Sequence, residues 1–172
     1  HIFMKKLLVF GLFSLATLGV SIRTLAQESR SFSVSGFTKL EMGSAFKLNV
    51  ALGKQFKVVA EGRAEDLNDL EASTSGGALK LNYKNDGWKS KNRKEVRVSI
   101  TMPALDGLDL SGASKATIAK FPPNAQFEIQ VSGASQATVE LVSREVELDL
   151  SGASQIMLLG NCDKLEVDLS GA

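Results

Sequence analysis

A short phrase returns along the second half of the chain and limits what it can fold into. It reads Leu108-Asp-Leu-Ser-Gly-Ala-Ser-Lys-Ala-Thr-Ile118, then Ile129-Gln-Val-Ser-Gly-Ala-Ser-Gln-Ala-Thr-Val139, then Leu148-Asp-Leu-Ser-Gly-Ala-Ser-Gln-Ile-Met-Leu158, and a fourth copy opens at Val167-Asp-Leu-Ser-Gly-Ala172. The leading serines Ser111, Ser132, Ser151 and Ser170 are spaced by 21, 19 and 19 residues. Self-similarity at a fixed period of this length is the mark of units that cannot bury an apolar face alone and must stack. Within each copy apolar and polar residues alternate on both sides of Ser-Gly-Ala, as in Leu148, Leu150 and then Ile156, Leu158. Period two means strands. Each copy therefore predicts a strand, a tight corner at Ser-Gly-Ala-Ser, a second strand, and a return such as Phe121-Pro-Pro-Asn124 or Gly160-Asn161. Gly112, Gly133, Gly152 and Gly171 are the expected structural turn residues, since a side chain would obstruct the corner. The predicted fold is all-β: a parallel β-helix, a solenoid of 19–21-residue rungs. Columns such as Leu110, Val131, Leu150, Leu169 would fill its core at the ~4.8 Å strand spacing.

The segments Phe32-Ser-Val34, Lys47-Leu-Asn-Val-Ala51, Phe56-Lys-Val-Val59, Leu79-Lys-Leu-Asn-Tyr83 and Val96-Arg-Val-Ser-Ile100 alternate less regularly and are expected to form the first, atypical rungs. Ala64 to Leu70 is the best helical candidate. No linker rich in proline or serine divides the chain, so residues 27–172 read as one domain. Residues 1–26 read as a signal peptide: Lys5 and Lys6 precede the apolar run Leu7 to Val20, and Thr24 and Ala26 supply small residues before a cleavage at Gln27. His1, Ile2 and Phe3 lie upstream of the start at Met4. After the leader is removed, no segment is apolar for the ~20 residues that a helical span needs. The expected location is the periplasm, outer membrane or cell surface of a Gram-negative bacterium.

Composition removes several chemistries. The one histidine, His1, lies in the leader, which excludes serine-histidine and cysteine-histidine catalysis and histidine metal sites from the mature chain. Cys162 is the only cysteine, so stability must come from packing. No catalytic residue, metal site or cofactor is expected. The net charge of +1 conceals an excess of basic residues over 27–100 and of acidic residues over 101–172; neither is large enough for a nucleic-acid partner.

The segments Ser35-Gly-Phe-Thr-Lys-Leu40, Gly76-Gly-Ala-Leu-Lys-Leu81 and Val96-Arg-Val-Ser-Ile-Thr-Met-Pro103, together with the Leu-Asp-Leu-Ser-Gly-Ala-Ser repeats, resemble the auto-transporter adhesin head family of the GIN-domain type, found in exported proteins of Bacteroidetes-like bacteria. The resemblance covers most of the mature chain. It implies that the β-helix is right-handed and single-stranded, with no catalytic residues and a role in adhesion. Members continue through more repeats, so the chain is expected to be C-terminally truncated and to self-associate through exposed solenoid ends.

Two features suggest contact with a surface glycan or envelope component. The first is a loop on which Tyr83, Trp88, Lys89, Lys91 and Arg93, with Lys94, combine aromatic faces, amides and cations, as sugar sites do; the alternative is an exposed hairpin that merely solvates itself. The second is a pair of acidic columns, Glu128, Glu147, Glu166 and Asp109, Asp149, Asp168, which read as weak cation or hydroxyl sites or as a solvated outer face. The favoured function is a non-enzymatic adhesion or glycan-binding module. The alternatives are a polysaccharide-acting lyase or hydrolase on a β-helix, and a structural or regulatory envelope protein.

Overall fold

The computed structural model of the chain describes residues 27–84 and 93–171. The signal-peptide segment, Trp88, Lys89 and Lys91 lie outside the described residues. Twelve strands and one short helix follow in the order β1 (Glu28–Phe32), β2 (Lys39–Met42), β3 (Phe46–Leu52), β4 (Lys57–Gly62), α1 (Ala64–Asn68), β5 (Leu70–Ser75), β6 (Ala78–Tyr83), β7 (Val96–Met102), β8 (Gly107–Leu110), β9 (Lys115–Ile118), β10 (Asn124–Val131), β11 (Gln136–Gly152) and β12 (Gln155–Gly171). Among the described residues no helix is long and apolar enough to cross a membrane.

The alternation in the sequence becomes burial. In β3, Phe46, Leu48 and Val50 face inward and are buried, while Lys47 and Asn49 face out. The same two-residue period governs β2, β7 and β9. In-register pairing sets the inward residues side by side: Leu40 lies beside Leu79 and Leu108, Leu108 beside Ile129, and Ile129 beside Leu148. Each such side chain, taken wholly from water, contributes about 1.5–3 kcal/mol before the entropy of ordering is counted.

The strands belong to two walls joined at the Ser-Gly-Ala-Ser corners. One wall runs β5–β6–β2–β8–β10 to the second half of β11, and the other runs β1–β4–β7–β3–β9 to its first half. The corners stack. The Ala134 N–H donates to the Gly112 carbonyl at 2.7 Å and the Ala153 N–H to the Gly133 carbonyl at 2.8 Å. The second serine of the corner is the one turned inward: Ser114 Oγ donates to the carbonyls of Ser44 at 2.8 Å and Ser111 at 3.1 Å.

The expected right-handed parallel β-helix requires correction, although the chain is all-β. The twelve strands form one mixed sheet that curls into a nearly closed, barrel-shaped wall. Three pairings are antiparallel, β1 with β4, β4 with β7, and β5 with β6; of the segments expected to be the first rungs, the one in β4 runs back, while those in β3, β6 and β7 keep the parallel direction. Two further local features depart from the expected rungs. A hairpin at Gly76 and Gly77, both at positive φ, turns β5 back on β6. The chain also does not return at Gly160-Asn161: β11 and β12 each run for 17 residues and carry the sheet unbroken from one wall to the other.

Candidate functional site

The outer face of the first wall carries a groove lined mainly by polar and charged side chains. Lys39 on β2, Gly107 on β8 and Glu128 on β10 are aligned in one row across the sheet. Gly107 has no side chain to fill the middle of that row, and the stem of Lys39 lies across it: a Cβ placed on Gly107 would sit 3.1 Å from Lys39 Cγ. The Lys39 ammonium reaches Glu128 Oε2 at 2.8 Å, and Gln130 Nε2 donates to Glu128 Oε1 at 3.0 Å. The next row is Lys80, Glu41, Asp109 and Gln130, with Lys80 ion-paired to Glu41. The groove between the rows encloses about 270 Å³, just below the ~300–1,000 Å³ of a typical ligand pocket, and a shallower depression continues it toward Asn82 and Ser111. It is open to solvent.

The carboxyls in this groove are driven apart. Burial is the main cause that pushes the Asp109 carboxyl above the usual range, and Glu41 and Glu128 add to it. The hydrogen bond from Lys39 is the main cause that holds Glu128 below its usual value, against some desolvation. The same contact raises the Lys39 ammonium. One carboxyl of the groove thus holds its proton more tightly than usual and the other less tightly.

The acidic columns are only partly continuous. Glu128, Glu147 and Glu166 are in register, but Gln130 separates Asp109 from Asp149 and Asp168. Lys39 and Lys164 neutralise the ends of the glutamate row, Lys164 binding both Glu145 and Glu166. Among the described residues no group of three acidic, cysteine or histidine side chains is close enough to hold a metal ion. Cys162 is exposed on β12.

The loop singled out in the sequence is anchored from within. Tyr83 is buried, packs against Phe46 at 5.3 Å between ring centres, and has the Arg93 guanidinium 3.7 Å above its ring. Burial, aided by the charge of Asp66, pushes its phenol up to about 12. Arg93 also binds Asp69 Oδ2 at 2.6 Å. The buried carboxylate of Asp66 accepts from Arg63 Nε at 2.7 Å and Nη2 at 3.1 Å, and from the Lys94 backbone N–H at 3.3 Å. Tyr83 and Arg93 are therefore brought together, with the ring face covered by the guanidinium instead of open to a sugar. Lys39, Glu41 and Gln130 were missed as site residues. Their sequence signal is the outward set of two short alternating strands, which says nothing about which strands become neighbours.

Comparison with known proteins supports the fold. The crystal structure of a putative adhesin from Bacteroides fragilis NCTC 9343 is similar, with a TM-score of 0.71 at 15% identity over 81% of this chain and 65% of that one. A putative adhesin from Parabacteroides distasonis ATCC 8503 gives 0.64 at 16% identity over 83% and 69%. A putative lipid binding protein from the same organism gives 0.62 at 16% identity over 84% and 61%. The chain thus spans less than two thirds of two of these structures, and at such identities the likeness is one of fold. No curated protein matches the chain. Residues 36–172 match the family described as putative auto-transporter adhesin, head GIN domain, and the chain belongs to that family.

Proposed function

We propose that the domain is a non-enzymatic adhesion module of an exported protein, and that it holds a surface glycan in the groove across Gly107. The observation that carries this reading is the groove itself: a floor of three paired strands edged by carboxylates, an amide and an ammonium. Sugar hydroxyls are recognised by such mixed donors and acceptors on preorganised elements. The family's adhesin description supports a surface role. In the test, mannan, xylan and dextran are titrated against the full chain and against Gly107→Val, whose side chain fills the groove at a backbone position without positive φ. Binding of one polymer by the parent, lost in Gly107→Val with an unchanged circular dichroism spectrum, is the expected outcome. Equal binding by both proteins removes the groove from the account.

One observation favours a second reading, a polysaccharide hydrolase. Asp109 and Glu128 share the groove with their carboxyl pKa values displaced in opposite directions, as an acid and its partner carboxylate would be. New reducing ends in the same incubations, abolished by Asp109→Asn, would replace adhesion with catalysis.

A further inference from the structure

On the other wall, β7, β3 and β9 are adjacent, and their outward positions align Arg97, Lys47 and Lys115 in one row. The row crosses three strands at the ~4.8 Å strand spacing. Lys47 and Lys115 are exposed. Among the described residues neither forms an ion pair, and Arg97 is only 4.0 Å from Glu61 at the far end of the row. Like charges on adjacent strands destabilise a sheet, and Lys39, Lys80 and Lys164 each avoid this by pairing with a carboxylate. The parallel row Asn49, Thr117, Thr138 adds an amide and hydroxyls on the same face. A shallow groove of about 360 Å³ runs across these strands from Lys47 towards β12, over a floor that includes the small residues Ala116 and Ala137.

We propose that this face is an anion-binding stripe that receives an anionic polysaccharide laid across the strands. Cations repeating at the strand spacing match a polymer that repeats its charge about once per sugar, and the hydroxyl and amide row beside them supplies partners for ring hydroxyls. The anion neutralises the Arg97, Lys47, Lys115 row and removes the repulsion built into the free sheet. A second copy's acidic wall is the less fitting occupant, because Gln130 interrupts its aspartate row and lysines already pair with Glu128 and Glu166. The stripe is distinct from the groove across Gly107, and the two proposals can fail separately.

The experiment uses the full chain carrying Gly107→Val, so that the first groove contributes nothing. Its binding to polygalacturonate is compared with binding to fully methyl-esterified polygalacturonate, and binding to dextran sulfate with binding to dextran. The charged polymers should bind, more weakly as salt is added, and the uncharged ones should not. Lys47→Gln with Lys115→Gln should weaken binding roughly tenfold or more, through loss of the local field, and Lys47→Arg with Lys115→Arg should restore it. The glutamine variant should melt no lower than its parent, because it removes like-charge neighbours. Binding to neither charged polymer, equal binding of a charged polymer and its uncharged form, or binding indifferent to the glutamine variant would overturn the proposal. Self-association that the glutamine variant abolishes, without polymer binding, would assign the stripe to a second copy and overturn it equally.

Discussion

Asp109 and Glu128 occupy neighbouring strands of one groove, yet their carboxyls titrate in opposite directions from the ordinary value. For Asp109 the folded chain binds its proton more tightly than the unfolded chain does. The resulting penalty is fully present above its raised pKa and is relieved as pH falls through that value towards the ordinary carboxylate range. For Glu128 the reverse holds: its contact with Lys39 contributes stability above the ordinary carboxylate pKa, and that contribution is lost as pH falls through the lowered one. Asp109→Asn should therefore raise the melting temperature at neutral pH, with the gain vanishing once the pH lies below the ordinary aspartate value. Glu128→Gln should lower the melting temperature at neutral pH and have no effect in acid. Melting curves across pH for the two variants check this, and parallel pH profiles for the two would refute it.

The corners show how an element depends on its neighbours. Gly133 sits at φ +74°, and a Cβ there would lie 2.4 Å from the Gly112 carbonyl oxygen, the group that accepts from the Ala134 N–H. Gly76 has a similar φ, +60°, but nothing lies within 4 Å of its would-be Cβ. Both substitutions to alanine carry the backbone cost of about 1–3 kcal/mol; only Gly133→Ala must also push two corners apart. Urea denaturation should show Gly133→Ala as the more destabilising, and equal midpoints would mean that the stack yields freely. These corners were legible in the sequence because a glycine in a fixed phrase marks a fixed turn. The strands were legible too, since Phe46, Leu48 and Val50 alternate with polar residues whatever they pair with. Pairing direction was not. The alternation of β4 and β5 reads the same for parallel and antiparallel partners, so nothing in it announced that both would run back along the sheet. The groove was hidden for a related reason: Lys39 and Gly107 become neighbours only through the register of β2 and β8. Conversely, the chemical variety around Tyr83 and Arg93 was legible, but part of it serves to hold the ends of the loop against α1.

Across the described residues, the core is covered over most of the sheet and open along β12. Inward positions are buried in β2 through β4 and β6 through β10, whereas Val167 and Leu169, which continue the Leu108 and Leu110 rows on β12, are 46% and 69% exposed. Leu159, Leu165 and Met157 on the same strand are exposed as well. Among the described residues β12 pairs only with β11, so a 17-residue strand presents unpaired backbone groups together with apolar side chains. Long apolar edges of this kind recruit further strands. For residues 27–172 taken alone, the expected consequence is concentration-dependent association through β12. A charge at an inward-facing edge position opposes such pairing, because docking would bury it without a partner. Val167→Lys with Leu169→Lys should therefore suppress association while disturbing the interior little, both side chains being exposed already. Sedimentation velocity over a wide concentration range separates the outcomes. Monomer at every concentration in the parent, or association unchanged in the lysine variant, would show that β12 is not the adhesive edge.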